Sequence, residues 1–213
     1  MVDTPGYGNE ISVAAKDTNR ILQSDPTGNT MFSAHVYGAF GKDASADNVG
    51  GTGEAITAGL DKLTATGACY AIGEFGFWQN FNEVDERTLV DYCAKKDIGW
   101  MAWSWAGNTG VEHEPLDMTS VKIFSKDDLT IWGKWVFGTK NGIQDTSVLA
   151  YSGKTFSGEK ITDVPDSVPT PDIKIDGPVD NGSSDSAEIE TGILTNYNWI
   201  TGHEMVVEPW KEL

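Results

Sequence analysis

Residues 69–76 read Cys69-Tyr70-Ala71-Ile72-Gly73-Glu74-Phe75-Gly76. An apolar run ends in a single carboxylate, with glycine before it and Phe-Gly after it. A short apolar run between turn signals reads as a buried strand. A carboxylate at the end of such a strand has no part in packing, and burying it unpaired costs roughly several kcal/mol. Glu74 is therefore expected to face a polar cleft at the carboxyl end of its strand, where parallel-strand barrels place their chemistry. A strand-ending acid by itself equally suits a salt bridge or a helix cap, so the flanking elements decide.

Those elements alternate. Met1-Val2-Asp3 reads as the end of a strand, 11–23 as a helix stopped by Asp25-Pro26 and Gly28, and 30–37 as a strand. A helix over 53–66 carries Ile56, Leu60 and Leu63 at helical spacing. The Glu74 strand follows, then a helix over 84–96 with Leu89, Val90 and Cys93 inward, a strand over 99–105 and a helix over 129–137. Unbroken strand–helix alternation predicts an α/β fold with a parallel sheet. Each strand ends in polar or aromatic residues: Asp3, His35 with Tyr37, Glu74, and Trp103 with Trp105. Gly6-Tyr7-Gly8 follows the first strand but lacks the rest of a dinucleotide-binding fingerprint. Chemistry at four successive strand ends suits a (β/α) barrel, which takes eight strands and about 250 residues.

Composition narrows the classes. The 213-residue chain has a formal net charge of −17, which disfavours nucleic acid and anionic membranes as partners. The acidic surface also serves solubility. No transmembrane stretch and no secretory leader are legible. Two cysteines, Cys69 and Cys93, are too few for a disulfide framework, and no zinc-site spacing or other cofactor motif occurs. Buried free thiols are the plain reading, with one disulfide still possible. Eight tryptophans suit both core packing and carbohydrate stacking.

Past residue 150 the composition shifts. Residues 157–196 contain no aromatic side chain, and Val164-Pro165-Asp166-Ser167-Val168-Pro169-Thr170-Pro171 reads as linker. Three regions are expected: a partial catalytic domain over 1–150, an acidic Pro/Ser/Gly-rich disordered linker over 151–192, and over 193–213 the start of a further module or a disordered tail.

The four strand ends together resemble the C-terminal half of glycoside hydrolase family 5, the retaining (β/α)8 glycosidases. Phe32-Ser33-Ala34-His35-Val36-Tyr37 looks like strand six with its His-x-Tyr pair. Ile72-Gly73-Glu74-Phe75-Gly76 looks like strand seven, and Gly99-Trp100-Met101-Ala102-Trp103-Ser104-Trp105, with Gly107-Asn108, looks like strand eight. Met1-Val2-Asp3 would then be strand five. Leu116-Asp117, Leu129-Thr130-x-Trp132-Gly133 and Asn141-Gly142-Ile143 are similar to the closing part of bacterial endo-β-1,4-mannanases of that family. The resemblance spans about 1–150. One departure stands out: the family's acid/base lies in an Asn-Glu-Pro motif at strand four, and none occurs here. Asn9-Glu10-Ile11 and Asn82-Glu83-Val84 lack the proline.

The resemblance implies roles. Glu74 would be the nucleophile; the alternative is a buried structural acid. His35 and Tyr37 lie two apart and so share a face. They would contact substrate and the nucleophile, or else pack as core residues. Trp103 would be a sugar platform, with Trp105, Trp78 and Tyr7 secondary candidates for which packing serves as well. Asp3 and Asn108 hydrogen-bond in the cleft or cap loops. No cofactor or metal is implied. The expected activity is a secreted, endo-acting, retaining β-glycosidase of plant cell-wall polysaccharide, a β-1,4-mannanase. Its substrate would be mannan, glucomannan or cellulose. An endo-β-1,4-glucanase, or a non-catalytic sugar-contacting fragment, are the alternatives.

Overall fold

The computed structural model describes residues 1–38, 51–79, 82–110, 113–120, 126–148, 160–171, 196–198 and 203–205. Strands β1 (Val2–Asp3), β2 (Phe32–Val36), β3 (Tyr70–Phe75) and β6 (Trp100–Ala102) form one parallel sheet in the order β1-β2-β3-β6. Helices α1 (Ile11–Ser24), α2 (Gly53–Thr64) and α3 (Glu86–Lys96) connect successive strands. Parallel neighbours require such crossovers, which is why the alternation in sequence was informative. An antiparallel hairpin, β4 (Trp78–Gln79) with β5 (Asn82–Glu83), interrupts the last crossover. Helices α4 (Ile131–Gly138) and α5 (Ile143–Thr146) follow β6.

The helices form where spacing and caps agree. In α2, Ile56, Leu60 and Leu63 are all buried, and Thr52 caps the helix by accepting from the Ala55 N–H at 3.3 Å. In α3, Leu89, Val90 and Cys93 point inward. Asp85 caps α3, accepting from the Thr88 N–H at 2.9 Å and the Thr88 hydroxyl at 2.8 Å. Glu86 opens α3 and Lys95 and Lys96 end it, both matching the helix dipole. Burying each Leu or Ile contributes about 1.5–3 kcal/mol, so these stripes fix the helices to the sheet.

Among the boundaries that differ from the sequence reading, two bear on the site. Helix α4 starts at Ile131, because Thr130 caps it through the Gly133 N–H at 3.1 Å. Leu129, expected to open that helix, is buried before the cap, where its backbone bridges Thr119. Strand β6 stops at Ala102, so Trp103 and Trp105 stand on the chain leaving the sheet.

One sheet face takes the helices. The Tyr70 hydroxyl and Thr18 Oγ of α1 lie 2.7 Å apart, and Tyr70 stacks on Phe32. Phe75 meets Trp132 of α4 edge-on at 5.8 Å, and Trp132 stacks on Trp135 at 5.5 Å. The opposite face carries Asp3, Ser33, His35, Ala71, Glu74 and Met101.

The first compact unit runs to Pro171, beyond the boundary expected at 150. Residues 160–171, read as linker, lie against this unit. The Ile161 N–H donates to Gln144 Oε1 at 3.0 Å, Lys134 pairs with Asp163, and the Thr170 hydroxyl donates to Glu83. The Glu86 carboxylate accepts from the Val168 N–H. Gly138 of α4 lies directly under Ile161 and Val164. Composition measures a segment's own capacity to build a core and is blind to a surface already built for it. The rest of the expected linker, 151–159 and 172–192, lies outside the described residues. In the second unit, 172–213, the backbone of β7 (Asn196–Asn198) pairs antiparallel with β8 (His203–Met205). Among the described residues no helix is long and apolar enough to cross a membrane.

Candidate active site

Glu74 reaches the face opposite the helices through an irregularity. Ala34 pairs with Ile72, yet the next residue, His35, pairs with Glu74. Gly73 is thus an extra residue in β3, a bulge. Ile72 is fully buried. In a regular strand, Ile72 and Glu74 would share a face. The bulge turns Glu74 away from Ile72 and beside His35. Bulges re-aim side chains in this way next to active sites. Beside Ser33 the bulge takes glycine, because a Cβ there would sit 2.0 Å from Ser33 Oγ.

His35, Tyr37 and Glu74 converge. The Tyr37 hydroxyl donates to Glu74 Oε2 at 3.4 Å. His35 Nδ1 is 3.6 Å from the same oxygen, and His35 Nε2 is 3.7 Å from Asp3 Oδ1. The imidazole therefore stands between two carboxylates at electrostatic rather than hydrogen-bonding distance. Burial and then the neighbouring Glu74 charge push the Tyr37 phenol well above its ordinary value, so it stays a donor. Glu74 remains about a third open, at 32 % side-chain exposure. It is held yet reachable.

The loop after β1 braces His35. Gly8 has φ +83, its carbonyl accepts from the His35 N–H at 2.9 Å, and a Cβ on it would lie 2.2 Å from the His35 ring. That close approach needs glycine. Tyr7, between Gly6 and Gly8, is 89 % exposed.

Trp103 projects from the end of β6, 41 % exposed. Its N–H donates to the Phe75 carbonyl at 2.7 Å, so its backbone is fixed to the residue after Glu74. The Trp132 indole donates to the Trp103 carbonyl at 2.9 Å. Trp105 is 37 % exposed. Of the two readings of Trp78, stacking or packing, its 5 % exposure in β4 matches packing. Cys69 is exposed and Cys93 buried, both free thiols.

The structure thus brings His35, Tyr37 and Glu74 together. The sequence reading missed the bulge at Gly73 and the brace at Gly8. A glycine inside an apolar strand was the available signal for the first.

Carboxylate, imidazole, phenol and an open indole at the carboxyl ends of parallel strands form the site arrangement of (β/α)-barrel proteins. The profile of the cellulase family, glycosyl hydrolase family 5, matches residues 1–109, about half of the chain. The chain belongs to that family. It is 31 % identical over 147 residues to a mannan endo-1,4-beta-mannosidase of Salipaludibacillus agaradhaerens, covering 69 % of this chain and 44 % of the relative. It is 33 % identical over 136 residues to a beta-mannanase/endoglucanase A of Caldicellulosiruptor saccharolyticus, covering 63 % of this chain and 9 % of the relative. Among solved structures, the mannohexaose complex of a Thermomonospora fusca beta-mannanase is similar at 34 % identity and TM-score 0.56. That match covers 69 % of this chain and 44 % of the other. The chain thus spans less than half the length of these relatives.

Proposed function

We propose that the chain supplies the nucleophile-bearing half of a secreted, retaining endo-β-1,4-mannanase, with β1, β2, β3 and β6 as strands five to eight of a (β/α)8 barrel. The observation that carries this reading is Glu74, turned out of β3 by the bulge and met by Tyr37 and His35. Tyr37, neutral and donating, steadies the ionised carboxylate and orients one oxygen. A lone pair on a Glu74 carboxylate oxygen attacks the anomeric carbon and forms the glycosyl ester bond. The glycosidic C–O bond breaks toward the leaving oxygen, which takes a proton from an acid about 5–5.5 Å from Glu74. The same group, now a base, takes a proton from water, and the resulting hydroxyl displaces Glu74 from the glycosyl ester. With no Asn-Glu-Pro in this chain, the acid/base is supplied from outside it. Trp103 offers an aromatic face to a sugar ring.

The mannan preference is supported by the mannanase relatives. An endo-β-1,4-glucanase activity is the second reading, favoured by the double name of the Caldicellulosiruptor relative. The test assays the chain on galactomannan, glucomannan and carboxymethylcellulose, alone and mixed with the first barrel half of a related mannanase. Alone it is expected to be inactive, since general acid help is worth about 10²–10⁴-fold. Ordinary glycosidase turnover by the chain alone would refute the assignment of the acid/base elsewhere.

A further inference from the structure

We infer that Asp117 is a positioning residue for Trp103, acting through Asn108; this rests on the glycan reading above. Asp117 gathers three N–H groups. Its Oδ2 accepts from the Gly107 N–H at 3.1 Å, and its Oδ1 accepts from the Asn108 N–H at 3.0 Å and from Asn108 Nδ2 at 2.6 Å. Asn108 Nδ2 also donates to Ser104 Oγ at 2.9 Å. On its other side, Asn108 Oδ1 accepts from the Trp103 indole N–H at 2.9 Å.

The chemistry of the three groups fixes the amide's orientation. A carboxylate only accepts, an indole only donates, and an amide does both. With Nδ2 held by Asp117, Oδ1 must face Trp103. The carboxylate therefore decides which way Asn108 points, and Asn108 decides how the indole lies. Asp117 is itself anchored: its carbonyl accepts from the Thr130 hydroxyl at 2.7 Å, and Thr130 caps α4. A line of hydrogen bonds thus runs from the α4 cap to the tip of an indole whose face stays open.

The test is a ¹H–¹⁵N spectrum of the full chain, in which Trp103→Phe identifies the Trp103 indole N–H, with mannohexaose titrated into each sample. Asp117→Ala and Asn108→Leu are each expected to move that resonance to the free-indole position and to weaken mannohexaose binding about tenfold, or 1.4 kcal/mol. Combined, they should weaken it no further, because both act along one path. Asp117→Asn keeps one acceptor and should fall between. An unmoved resonance in Asp117→Ala overturns the proposal. If Asp117→Ala unfolds the chain, Asn108→Leu decides by the same signal, and an unmoved resonance there overturns it. If the unsubstituted chain binds no mannohexaose even when mixed with the first barrel half of a related mannanase, the glycan reading fails, and the resonance alone decides the role of Asp117.

Discussion

Gly73→Ala tests the bulge that aims Glu74. The added methyl would meet Ser33 Oγ at 2.0 Å, far inside contact distance, with Ser33 Cβ at 3.3 Å and His35 Cδ2 at 3.4 Å behind it. Ser33 is 1 % exposed on β2, so it cannot swing into solvent. Overpacking of this kind costs about 1–3 kcal/mol. For a unit of this size, 2 kcal/mol corresponds to a loss of about 4–8 °C in Tm. The structure also gives the rescue. Among the described residues the buried Ser33 Oγ has no hydrogen-bond partner, so Ser33→Ala removes the obstruction and should itself be near neutral. The double variant keeps only the two tight contacts beyond 3 Å and should regain most of the stability. Thermal melts of the four proteins, with urea unfolding as a second measure, complete the cycle. Gly73→Ala melting with the parent, or a double variant no better than Gly73→Ala, would show that Ser33 does not face Gly73. The bulge would then be misplaced.

Joined to an upstream barrel half, Glu74→Gln should abolish turnover while keeping ligand binding, since an amide cannot form the glycosyl ester; near-normal turnover would remove Glu74 as nucleophile. Tyr37→Phe should lower kcat by less, because it deletes one hydrogen bond and no reacting atom. Burial pushes the Glu86 carboxyl up, so the folded chain holds a proton that the unfolded chain releases. The stability from that proton is present below the unfolded pKa and lost as pH rises through the folded one. Melts between about pH 4 and pH 7 should therefore fall more steeply for the parent than for Glu86→Gln, and parallel curves would contradict this. Burial pushes the Cys93 thiol up to about 12, so a thiol reagent should titrate Cys69 alone in the native chain and both cysteines in denaturant.

Much of this was legible where one residue type has few uses. Glu74 after an apolar run, and His35 two residues from Tyr37, pointed to side chains that the structure brings together. Ile56, Leu60 and Leu63 placed α2 by period. What escaped were relations between segments. Trp78 is as apolar as Trp103, and nothing local distinguishes the ring held in a hairpin from the ring left open. The register shift at Gly73 exists only relative to β2. Residues 160–171 carry too few apolar side chains to fold alone, so their docking depends on Gly138, Gln144, Lys134 and Glu86, all distant in sequence. Asp117 read as part of a closing motif, and its work became visible only once Asn108 lay beside it.

Trp103 is tethered at both backbone atoms and at its indole nitrogen, to three different parts of the chain. A side chain so restrained has surrendered its rotamer freedom at folding, before any ligand arrives. On the proposed reading, a sugar docking on it incurs little further ordering penalty from that ring. Recognition at this position would then proceed by fit to a standing surface rather than by closure around the glycan.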